Sequence, residues 1–198
     1  MYYVGRGSKE SNMDDQWPDE GEPDDELPGE TGSVEELLRS GDVLELEPDG
    51  TDLRLTERFE QAWHERIEQM RGGDRATRWL AASRGIDPDE MTVSDDEAFV
   101  LTHDGEQIGR WHSRAAFLAT LVAEPVLNEW LSMDRLAELP DRQRSELPAR
   151  LSMFLERCPI CDTALTFTED IAEDGTLSVS LDCHDCGATV ASGFVEES

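Results

Sequence analysis

The chain has 198 residues, 37% of them apolar, and a formal charge of −29 from 46 Asp and Glu against 17 Lys and Arg. That length bounds it to one or two domains, and the low apolar content still allows a modest core once an acidic terminus is set aside. The best apolar run, Ala115 to Ala123, is about half the roughly 20 residues a membrane helix needs, and the N-terminus lacks the basic-then-apolar layout of a signal peptide. The expectation is a cytoplasmic protein without a membrane span.

Lys9 is the only lysine, and arginine supplies the rest of the positive charge. Acid-rich, lysine-poor composition resembles that of proteins from extremely halophilic archaea, in which salt screens the repulsion between surface carboxylates. Lys9 and both tyrosines, Tyr2 and Tyr3, fall within the first twelve residues, and the acidic style begins at Met13, so Met1 and Met13 stand as alternative starts. Residues 1–32 are rich in Pro, Gly, Asp and Glu, lack apolar periodicity, and are expected to be a disordered acidic tail.

Order is expected from Ser33, where Ser33-Val-Glu-Glu36 has the form of a capping box and Gly41 ends a short helix. In DVLELEPDGTDLRLT the turn signal Asp49-Gly50 pairs Leu46 with Leu53 and Leu44 with Leu55, and sets Glu45 against Arg54 on the other face. Thr56 then caps a helix of about 14 residues with Phe59, Ala62, Trp63, Ile67 and Met70 on one face, stopped by Gly72-Gly73. A further helix, about Arg75 to Ser83, carries Trp79 and Leu80. The pattern then returns some 55 residues on: a hairpin around Asp104-Gly105 pairs Leu101 with Ile108, and Ser113 caps a helix ended by Pro125. The two hairpin-helix units fit an internal repeat and convergence equally. From Leu127 to Arg157 the reading is helical, interrupted at Pro140 and Pro148. It leads straight into Cys158, which predicts a C-terminal unit docked on a helix rather than tethered.

All four cysteines lie in CPICDTALTFTEDIAEDGTLSVSLDCHDCGATV, as Cys158-x-x-Cys161 and Cys183-x-x-Cys186 with 21 residues between the pairs. Two residues between thiols let one tight turn aim both sulfurs at a metal about 2.3 Å away, and two such turns complete a tetrahedron. The reading is a structural Zn²⁺; iron in the same cage, disulfides and free thiols are the alternatives. Gly187 suits a left-handed turn after Cys186, and His184 is expected to be exposed rather than ligating. The interval reads as strands Ala164 to Thr168 and Leu177 to Leu181, a turn at Glu173-Asp-Gly175, and a third strand at Ala188 to Val190.

Over residues 158–194 this arrangement resembles the zinc ribbon family. The resemblance implies a three-stranded sheet pinned by Zn²⁺ on Cys158, Cys161, Cys183 and Cys186. Asp162 stands where glycine often follows the second cysteine of the common pattern, and Asp tolerates left-handed backbone. The expected fold class is α+β: a helix and hairpin body over 33–157, then a zinc ribbon over 158–198.

No acyl-transfer, phosphate-loop or metal-hydrolase motif is present, and His64, His103 and His112 are scattered singly, so no catalytic residue is assigned. Residues 158–198 contain no Lys or Arg and nine Asp and Glu, a surface that repels phosphate. The favoured reading is a non-enzymatic protein-interaction or regulatory module with a protein partner. The runner-up is a DNA-associated regulator. Arg71, Arg75, Arg78, Arg142, Arg144, Arg150 and Arg157 are its candidate phosphate contacts, and RSGDVLELEPDGTDLRLTERF resembles the wing and following helix of winged-helix regulators. The three-helix part that precedes a wing has no counterpart in residues 1–32.

Overall fold

In the computed structural model, the described residues are 30–50, 52–171 and 176–195. The acidic segment 1–29, Met13 and the turn at 173–175 lie outside them. The architecture is α+β, with helices α1 (Glu30–Ser40), α2 (Glu57–Met70), α3 (Arg75–Arg84), α4 (Arg114–Trp130), α5 (Met133–Ala137) and α6 (Asp141–Leu151). The strands form three small antiparallel sheets: β1 (Leu44–Leu46) with β2 (Leu53–Leu55); β3 (Met91–Asp95), β4 (Phe99–His103) and β5 (Glu106–Trp111); and β6 (Thr166–Ile171), β7 (Leu177–Asp182) and β8 (Thr189–Val195).

The first hairpin has the expected register. Leu44 faces Leu55, Leu46 faces Leu53, and Glu45 faces Arg54 with a 2.7 Å ion pair. Thr56 caps α2 by accepting from the Phe59 N–H. The apolar stripe of α2 buries Phe59, Trp63 and Ile67 completely, each a side chain whose burial is worth roughly 2–3 kcal/mol. The Trp63 indole N–H finds the Ala119 carbonyl of α4 at 3.1 Å, so its polar atom enters the core bonded.

Several boundaries differ from expectation. Helix α1 begins at Glu30, so Ser33 lies inside it rather than at its cap, and residues 30–32 are helical. Pro125 does not end α4, and Pro148 does not interrupt α6. Proline forfeits one helix hydrogen bond, but α4 carries buried residues from Ala115 to Leu127 and packs against α2, α3, α6, β5 and β8. Continuing as a helix buries Val126 and Leu127, and Leu131 just beyond the helix end, which outweighs one missing bond.

In the second hairpin Asp104 and Gly105 both have positive φ, 52° and 80°, which makes a tight two-residue turn. Leu101 nevertheless pairs with Gly109, not with Ile108, because a bulge leaves Ile108 without a cross-strand partner. A straight ladder would set Arg110 opposite Phe99. The extra residue sets Trp111 there and turns it to the core face, where it meets Phe99 and Phe117 at 6.2 and 4.8 Å between ring centroids. Strand β3, absent from the sequence reading, adds an exposed edge to this sheet.

One continuous core joins body and C-terminal sheet. It runs from Leu37 through Trp63, Phe117 and Leu151 to Cys158, Leu181, Cys183 and Val190.

Candidate metal centre

Each cysteine pair sits on a turn with the same backbone wiring. In the first, the Asp162 N–H donates to the Cys158 carbonyl at 2.9 Å, and the Cys158 N–H donates to the Thr163 carbonyl at 2.8 Å. In the second, the Gly187 N–H donates to the Cys183 carbonyl at 2.9 Å, and the Cys183 N–H donates to the Ala188 carbonyl at 2.9 Å. The residue after the second cysteine is left-handed in both, Asp162 at φ 63° and Gly187 at φ 72°. Asp162 thus takes the glycine role without a break in the turn.

These turns bring together the four predicted ligands, Cys158, Cys161, Cys183 and Cys186, whose sulfurs all lie within 4.8 Å of one another. Cys158 Sγ is 3.6 Å from Cys186 Sγ, and Cys161 Sγ is 3.3 Å from Cys183 Sγ. A tetrahedron with metal–sulfur bonds of about 2.3 Å has edges of about 3.8 Å, within the range these sulfurs span, so the cage suits a tetrahedral ion. The thiols are free, not bonded to one another. His184 is exposed and outside the cluster.

As thiols, the four are unequal. Burial pushes Cys158 up to about 12 and also raises Cys186, whereas hydrogen bonding with Thr163 holds Cys161 down at about 6. A bound dication removes that inequality by keeping all four as thiolates. Four sulfurs would fill every position of a tetrahedral ion.

The cage is gripped from two sides by residues the sequence did not single out for this task. Asp162 accepts from Arg157 Nε and Nη2 at 3.0 and 2.8 Å, and its Oδ1 meets His64 Nε2 of α2 at 2.8 Å. Arg157 and His64 together hold the Asp162 carboxyl well below the usual carboxylate range. Arg71, at the end of α2, donates from Nε to the Pro159 carbonyl inside the first turn at 2.9 Å. On the other side Ser113, the cap of α4, donates to the Thr189 carbonyl at 2.7 Å, and Ser192 Oγ lies 2.9 Å from His112 Nε2. The C-terminal sheet is docked on the helices, as the direct run into Cys158 predicted. Of the scattered histidines, His64 and His112 hold this joint, while His103 lies 3.4 Å from Glu90 on the far sheet. Only the pairing of His64 with Asp162, 98 positions apart, explains a histidine on that helix, and no local signal carries it.

The family comparison concerns the body rather than the cage. Residues 33–153 match the central domain of a protein family of unknown function, DUF8054. No curated protein and no solved structure matches the chain. The matched segment spans α1 to α6 and stops just short of Cys158, so the cage lies outside it. Covering more than half of the chain, that match shows that this protein belongs to the DUF8054 family through its central domain.

Proposed function

We propose that the protein is a non-enzymatic protein-interaction or regulatory module whose C-terminal sheet is a zinc ribbon, working in a halophilic cytoplasm. The observation that carries the reading is strand β6. All of its side chains are exposed, and Phe167 and Ile171 share one face at 52% and 70% exposure. Glu169 and Asp170 lie between them, and the ribbon has no basic residue. A closed metal cage and the docking contacts of His64, Arg71 and Ser113 hold that strand rigidly outward. Pre-ordering the strand lowers the entropy cost of association. The partner that fits is a protein with an apolar spot ringed by basic groups.

Ion pairing counts against the DNA reading. Arg78, Arg142, Arg144, Arg150 and Arg157 are each engaged with a carboxylate of this chain. Arg75 donates to the Gln69 carbonyl, and Arg71 to that of Pro159.

The test is affinity capture of the full chain in molar KCl, wild type beside a Phe167→Ser/Ile171→Ser double variant, with elemental analysis of the same sample. The expected result is one zinc per chain in both forms and a protein partner captured by the wild type alone. Nuclease-sensitive nucleic acid as the co-purifying species would overturn the reading in favour of DNA. Iron in place of zinc would correct the metal.

A further inference from the structure

The largest cavity among the described pockets, about 960 Å³, lies where β8 passes the helices. Small residues from both sides line it: Ala116 of α4, Ala149 of α6, and Ala191 and Gly193 of β8. Trp111 and Phe154 contribute aromatic walls. The volume is that of a small-molecule cleft rather than of a packing defect.

Arg110 lines the same cleft, and it is exposed. Among the described residues every other arginine donates to a carboxylate, a carbonyl or a hydroxyl, including Arg84 to the Ile108 carbonyl, Arg114 to Gly73 and Arg135 to Ser40. Arg110 alone makes no such contact there. A guanidinium at an apolar cleft pairs well with a planar or tetrahedral anion. Two other polar lining groups are already occupied: Arg150 bonds Glu146 at 2.8 Å, and His112 bonds Ser192. Glu97, also in the lining, disfavours a second negative charge on the occupant. One backbone acceptor of β8, the Thr189 carbonyl, is already engaged by Ser113.

We propose that this cleft binds a small, mostly apolar molecule carrying one anionic group, with Arg110 as its anchor. The cleft is separate from the metal cage and lies on the same sheet face as Phe167 and Ile171, since its lining residue Val179 pairs with Glu169 of β6 and with Gly193 of β8, so it adds a ligand input beside the proposed partner surface.

The probe pair is 8-anilinonaphthalene-1-sulfonate and its uncharged relative N-phenyl-1-naphthylamine, titrated onto the full chain in molar KCl. The expected result is one sulfonate dye per chain with blue-shifted emission. Arg110→Gln should weaken that dye at least about fivefold while changing the uncharged dye by less than about twofold. Arg110 makes no contact that folding needs, so this variant stays folded. Ala149→Phe, which fills the cleft from an exposed helix position, should remove both dyes; its circular dichroism melt in the same buffer checks the fold. Equal sulfonate-dye affinity in wild type and Arg110→Gln would overturn the anchor. Dye bound undiminished to folded Ala149→Phe would place it on Phe167 or Ile171 instead and overturn the cleft.

Discussion

At the scale of single residues, Asp162 combines two tasks. Its left-handed backbone closes the first cysteine turn, and its carboxylate receives Arg157 and His64. The tasks separate by substitution. Asp162→Gly keeps the turn, because glycine takes φ 63° freely, and removes only the acceptor. It should lower stability only modestly while keeping one metal per chain, since solvent-screened charge pairs are worth little. Asp162→Ala should lose about 1 kcal/mol beyond that, the cost of a left-handed non-glycine residue. Denaturant melts in molar KCl with metal analysis check both; equal losses in the two variants would show that the backbone strain is absent. The role of Asp162 in the turn was legible from its place after Cys161. Its grip on α2 was not, because His64 is 98 positions away.

At the scale of elements, the two hairpins show what turn chemistry decides and what burial decides. Asp49-Gly50 and the leucine alternation set the β1–β2 register, since matching apolar pairs and the Glu45–Arg54 contact all agree within a dozen residues. Around Asp104-Gly105 the turn was legible but the ladder beyond it was not. There the burial of Trp111 against Phe99 and Phe117 outweighs a regular ladder, and Ile108 is left as the bulge. Gly109 is part of that solution. A Cβ there would stand 2.1 Å from the Trp111 ring, which folds back over the strand. Gly109→Ala should therefore destabilise by about 2–3 kcal/mol and change near-ultraviolet circular dichroism as the aromatic cluster repacks. A neutral Gly109→Ala would mean the ring has another place to go. Pro125 carries the same lesson: its ring signals a helix end, but α4 is buried on so many sides that its packing decides otherwise.

At the scale of the whole molecule, the cysteine cage and the helical body share one core. Cys158 and Cys183 are buried in the same cluster as Leu151 and Phe117. Chelation, or Cys161→Ser, should lower the melting temperature of the helical body as well as losing the C-terminal sheet, in one cooperative transition followed by circular dichroism at 222 nm. An unchanged helical melt after metal loss would show the sheet to be an independent appendage. The charge of −29 sets a second condition. Lowering KCl from about 2 M to 0.1 M lengthens the screening distance to about 10 Å, and the folded signal should fall. A full cooperative melt at 0.1 M would leave the acidity to be explained by a basic partner. Local signals along the chain were enough to specify the cysteine cage, the first hairpin, the caps at Thr56 and Ser113 and the apolar stripe of α2. In each of these, residues a few positions apart act through turn geometry, capping or periodicity. Only the tertiary structure decided the bulge at Ile108, the run of α4 through Pro125, the hold of His64 and Arg71 on the metal turn, and the cleft beside β8. Each of those depends on apolar area or an unpaired polar group that meets its partner only once distant parts of the chain have packed together.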